Sequence, residues 1–174
     1  LSPSSAFKKP YFSALTGDTI VVAAQPIVAF DPAHAGERRF GKLEFLGGLV
    51  LTSPSRNFGG WSALALDADG KRLVAISDTG VWLTGELTYA DGRPSGIADA
   101  RLGPLLGFDG KPFARGRERD SEGLALAAGT LDNGEALISF EGIHRILRYP
   151  VSRAGVGAPL ASLSLPADTA RMGS

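Results

Sequence analysis

Four carboxylates stand where short apolar runs begin or end. They are Asp78 in Ser77-Asp78-Thr79-Gly80, Asp120 and Glu122 ahead of Gly123-Leu124-Ala125-Leu126, and Glu141 after Leu137-Ile138-Ser139-Phe140. Oxygen-rich sets of Asp and Glu, completed by backbone carbonyls, suit Ca²⁺, a hard cation that gathers about six to eight oxygens. On that chemistry Asp78, Asp120, Glu122 and Glu141 are metal ligands, and Asp120 or Glu122 is the base that activates a water. Arg145 carries a planar fork that matches a pair of anionic oxygens, with His144, Arg148 and Ser62 as further substrate-binding candidates.

Each candidate has a plainer role beside it. Asp78 also suits a turn residue that caps its own backbone. Asp120 follows the charge run Arg115-Gly116-Arg117-Glu118-Arg119, which fits a solvated loop, and His144 is one of only two histidines. Glu122 is harder to dismiss, because an unpaired carboxylate opening an apolar inner strand is costly to bury.

Other chemistries lack their residues. Cysteine is absent, which removes disulfides, thiolate nucleophiles and Cys-ligated metals together. No Gly-x-Ser-x-Gly elbow, P-loop or dinucleotide fingerprint occurs. Eighteen Lys plus Arg balance eighteen Asp plus Glu, and the clusters Arg38-Arg39 and Arg115–Arg119 carry no interleaved aromatics, so nucleic-acid binding is unsupported. No apolar run reaches the roughly 18 residues that span a bilayer.

The elements that must position these residues are short. The chain is 44% hydrophobic and 21% charged, and its 23 Gly and 11 Pro are spread along the length, the habit of an all-β protein. Residues 1–40 are poorly patterned, with possible short strands at Ile20–Ala24 and Ile27–Phe30, closed by Asp31-Pro32. From Gly41 the pattern sharpens. Strands are expected over Ser62–Asp67, Arg72–Asp78, Val81–Tyr89 and Gly96–Leu105, with Ala68-Asp69-Gly70-Lys71 turning the first pair.

This block recurs. Ser62-Ala63-Leu64-Ala65-Leu66 matches Glu122-Gly123-Leu124-Ala125-Leu126 at an offset of 60, and Ala75–Asp78 matches Leu137–Glu141 at an offset of 62. Asp132-Asn133-Gly134 is the expected second turn, followed by strands at His144–Val151 and Leu160–Leu165. Leu64-Ala65-Leu66 and Leu73–Ile76 read as apolar on both faces, as for sheets sandwiched between sheets. Repetition of a four-stranded unit predicts an all-β β-propeller of antiparallel blades near 59–105 and 120–165 within a region 41–174. About two to three blades are present where closed propellers carry about four to eight, so the expected ring is incomplete. Its other blades would come from a longer chain or a partner, with Pro166–Ser174 as a connector.

Phe58-Gly59-Gly60-Trp61-Ser62-Ala63-Leu64, Ser77-Asp78-Thr79-Gly80, Arg119-Asp120-Ser121-Glu122-Gly123-Leu124 and Ser139-Phe140-Glu141-Gly142-Ile143-His144-Arg145-Ile146 follow an order that resembles the phytase-like propeller family, also described as having esterase-like activity. The resemblance covers about Gly41 to Pro166, with Ala63 replacing a usual Gly. It implies a metal-assisted hydrolase of phosphate or other esters, exported to the periplasm or exterior. A non-catalytic binding propeller and a calcium-dependent lactonase-type propeller are the alternatives.

Overall fold

Turn residues and alternating apolar segments become strands largely where the sequence places them. The computed structural model describes residues 17–114 and 116–165, and the expected connector Pro166–Ser174 lies outside them. Within the described residues the chain is all-β and its paired strands are antiparallel. The one helical turn among them is Pro32–His34, capped by Asp31 Oδ1 accepting from Ala33 N at 2.9 Å. No helix there is long and apolar enough to cross a membrane.

The N-terminal part holds β1 (Asp18–Thr19), β2 (Ala23–Ile27), β3 (Arg39–Phe40), β4 (Leu43–Glu44) and β5 (Gly48–Thr52). The single strand β2 replaces the two expected short ones and runs through Pro26. Its only ladder is with β5, so the missing proline N–H faces no second partner.

Two larger sheets follow. The first contains β6 (Trp61–Leu66), β7 (Arg72–Ser77), β8 (Val81–Ala90) and β9 (Arg93–Pro104), with β1 added beside β9. The second contains β10 (Ser121–Thr130), β11 (Asn133–Phe140), β12 (Arg145–Ser152), β13 (Gly155–Val156) and β14 (Ala161–Leu163), the last two both pairing with β12. The second turn is Leu131-Asp132 rather than Asp132–Gly134, because Thr130 already pairs with Asn133. Gly134 serves another need: a Cβ there would run into the carbonyls of Ala128 and Thr130 across the ladder.

Strand register corrects the repeat by one residue. Ser77 stands opposite Trp61 and Phe140 opposite Ser121, so the counterpart of Ser77 is Phe140, and that of Asp78 is Glu141. Since side chains alternate with a period of two, that single step reassigns every face. It also aligns two equivalent bonds: Asp78 N donates to Gly60 O at 3.0 Å and Glu141 N to Asp120 O at 2.9 Å.

The two sheets share one core. Val74, Ile76 and Trp82 of the first pack in a cluster with Ala136, Ile138, Phe140, Leu147 and Tyr149 of the second. Both ends of the junction are tied by hydrogen bonds: Ser121 Oγ donates to Ser77 O at 2.6 Å, and Leu131 N to Asp67 Oδ1 at 2.9 Å. The opposite face of the first sheet carries Leu73, Ala75 and Leu83 in a second cluster with Ile20, Val22 and Trp61. That side is only partly covered. Leu64 and Leu66, expected to be buried on both faces, are 60% and 44% exposed because an apolar groove, also lined by Leu49 and Leu51, stays open above them.

Trp82 anchors the shared core. Its Nε1 donates to Pro104 O at 2.9 Å, and the ring fills space that only glycine leaves at Gly17, Gly103 and Gly155. Trp82→Ala is expected to lower stability by about 3–5 kcal/mol, read from urea denaturation midpoints.

Candidate functional site

β6 and β10 lie next to each other and each opens with a bulge, after Trp61 in one and after Ser121 in the other. A bulge re-aims the side chain it carries. Glu122 occupies that position in β10 and Ser62 the same position in β6. Ser121, between the two acidic residues, is fully buried and fixed to Ser77 O. Asp120 and Glu122 are thereby held on either side of an anchored residue, while Glu141 is drawn in by its backbone bond to Asp120 O.

The result is a three-carboxylate cluster. One ligand oxygen from each of Asp120, Glu122 and Glu141 lies within 4.8 Å of the others, with Asp120 half-buried and the two glutamates exposed. Asp78 adds its charge from the first sheet. Desolvation, then the charges of Asp120, Glu141 and Asp78, then a hydrogen bond with Asp120, hold the Glu122 carboxyl above its usual proton affinity. Asp78 does not cap the turn it sits in; the Ser77 hydroxyl does, accepting from Val81 N at 3.2 Å.

Beside Glu122 an open cleft of about 450 Å³ is lined by Ser139, Glu141, His144, Arg145, Ile146 and others. His144 is exposed at its rim. Arg145 has its guanidinium over the rings of Phe140 and Phe113, at 4.1 and 4.9 Å, and donates to the carbonyls of Ile143 and Glu118. Burial lowers its pKa. Its fork is thus spent on clamping the loop ahead of Asp120. Arg148 does not line the cleft; three residues beyond Arg145 on β12, it meets Glu135 Oε2 at 3.5 Å. Ser62, half-buried at its own bulge, is likewise not among the residues lining this cleft.

The sequence reading missed what the glycines among these residues do. A Cβ at Gly60 would meet the Asp78 carboxylate, one at Gly80 the backbone of Arg119, and one at Gly142 the backbone of Arg117. Their absent side chains let the loop before Asp120 settle between the two strand ends. The spacing of glycines next to the carboxylates was the available signal.

A family model described as "Phytase-like: Esterase-like activity of phytase" matches residues 56–173, more than half of the chain and all of the residues just named. No curated protein and no solved structure matches it.

The raised proton affinity of Glu122 has a definite sign. The folded chain keeps a proton that the unfolded chain gives up near pH 4.5, so this group's contribution to stability is lost as pH rises above that value. Glu122→Gln is therefore expected to gain stability relative to the parent as pH climbs from 4 toward 7, about that window. Chemical denaturation in low salt checks it, and salt should shrink the difference.

Proposed function

The chain belongs to the phytase-like family with esterase-like activity, and from that premise we propose that it forms blades of a β-propeller that hydrolyses phosphate or other esters with a divalent cation. The observation that carries this reading is the convergence of Asp120, Glu122 and Glu141 within 4.8 Å beside an open cleft. The donor set fits the ion: hard carboxylate oxygens only, with Asp78 near as a fourth, and desolvation followed by their mutual charge raises the proton affinity of Glu122. Ca²⁺ bound there would neutralise substrate charge and polarise a phosphoryl or carbonyl oxygen.

The chain's own groups do the rest. Ionised Glu122 takes the proton of the attacking water, and its shared hydrogen bond with Asp120 re-forms once that proton is held. His144, exposed at the rim, donates to the ester oxygens. Arg145, from its clamped position, adds positive charge at the cleft and keeps Glu141 and Asp120 in register. Ser62, at the matching bulge of β6, stays outside the cleft, and Arg148 is left to Glu135.

The propeller is supported by the way faces repeat. Ala136 and Ile138 pack toward the first sheet, and their counterparts Leu73 and Ala75 point the other way, at the apolar groove under Leu64 and Leu66. A further sheet related by the same step would cover that groove, whether from the same polypeptide or a partner. Export to the periplasm or exterior completes the proposal.

With Ca²⁺ supplied, the chain assembled with its remaining blades is expected to hydrolyse phytate or a chromogenic ester, and chelation to stop it. Glu122→Gln should lower turnover by about 10²–10⁴-fold with an unchanged circular dichroism spectrum. Saturable substrate binding without turnover in the parent protein would mark a non-catalytic module instead.

A further inference from the structure

At the other end of the sheets from the carboxylates, five residues line a polar cleft of about 200 Å³: Thr19, Arg72, Asp99, Arg101 and Arg153. Arg72 begins β7, whose far end carries Ser77 and Asp78, so the two sites are separated by about 17 Å of strand. Two of the arginines are already fixed. Asp132 holds Arg72 Nε at 3.0 Å and Arg153 Nη2 at 2.7 Å, and Arg72 Nη2 also donates to Arg153 O at 3.1 Å. One carboxylate thus serves two guanidinium groups. Glu86 and Asp99 act on Arg153 only through longer-range charge.

Arg101 is different. Its Nε, like that of Arg72, is buried with no hydrogen-bond partner among the described residues, but unlike Arg72 it has no carboxylate paired with it there. Buried donors in native proteins nearly always have an acceptor, and a guanidinium is a demanding one. Asp99 lies next to it in a bulge between β8 and β9, with a left-handed φ of 49°, an uncommon conformation for a residue other than glycine. Thr19 of β1 stands opposite Arg101 in the ladder, and both line the cleft beside this bulge.

We propose that this cleft is an oxyanion site, in which Arg101, with Thr19 and the Asp132-fixed pair Arg72 and Arg153, binds inorganic phosphate or the terminal phosphate or carboxylate of a larger molecule. The shared chemistry is a small anion with several acceptor oxygens, matched by forked guanidinium donors. Its size admits one such group. The site stands apart from the carboxylate cluster and does not depend on any activity there.

The test is calorimetric titration of the 174-residue chain with inorganic phosphate, at constant ionic strength and with chelator present. Saturable binding is expected, weakened at least about tenfold by Arg101→Gln, weakened less by Arg101→Lys, and unchanged by Glu122→Gln. Arg153→Gln, at an exposed residue, gives the same reading should Arg101→Gln fail to fold. Acetate binding as tightly as phosphate would assign the site to carboxylates, and weaker acetate binding to phosphates. Absence of saturable binding, or binding that Arg101→Gln and Arg153→Gln leave intact, overturns the proposal.

Discussion

The junction between the two sheets is the constraint on which everything else rests. Val74 and Ile76 on one side and Ala136, Ile138 and Phe140 on the other are buried in one cluster, which Trp82 joins. Burial of that apolar surface is the main stabilising term available to a chain without disulfides. It also has a direction. Because Ser121 and Leu131 are hydrogen-bonded across the junction at either end, the second sheet cannot slide along the first, and β10 is held against β6. A shift of one residue would turn the Ala136–Ile138 face outward.

Function-bearing groups inherit their positions from that junction. Carboxylates repel one another, so Asp120, Glu122 and Glu141 converge only because the backbone leaves them no alternative. Two bulges, one buried serine and three glycines without side chains in the way bring them together. Desolvation first, and then the charges of Asp120, Glu141 and Asp78, raise the proton affinity of Glu122. A cation or a proton relieves the same strain, which is why the cluster couples stability to pH and, in the proposed reading, to metal.

Positive charge is arranged on a different principle. Arg145 is paired with no carboxylate among the described residues; it is held by two carbonyls and two aromatic faces, so it acts on the cleft as a fixed charge. Arg72 and Arg153 at the other end share the charge of Asp132, whereas Arg101 is paired with no carboxylate among the described residues. The molecule thus separates an acidic end from an arginine-rich cleft along the strands of one sheet pair.

Most strand positions and the all-β, antiparallel class were legible in the amino-acid order, because turns and alternation are local properties of a chain; that each sheet would gain a fifth strand was not. The candidate carboxylates were legible too, since a charge at the mouth of an apolar strand is conspicuous wherever the strand ends up. Register was not legible: Ile76-Ser77 and Ile138-Ser139 look like a match, yet the ladder equates Ser77 with Phe140, a choice made by packing across the junction. Nor could letters alone show that Arg145 spends its donors on Ile143 and Glu118, that Arg148 turns to Glu135, or that Leu64 and Leu66 stay exposed. Those outcomes depend on which segments distant in the chain come to lie side by side, and only the tertiary structure decides that.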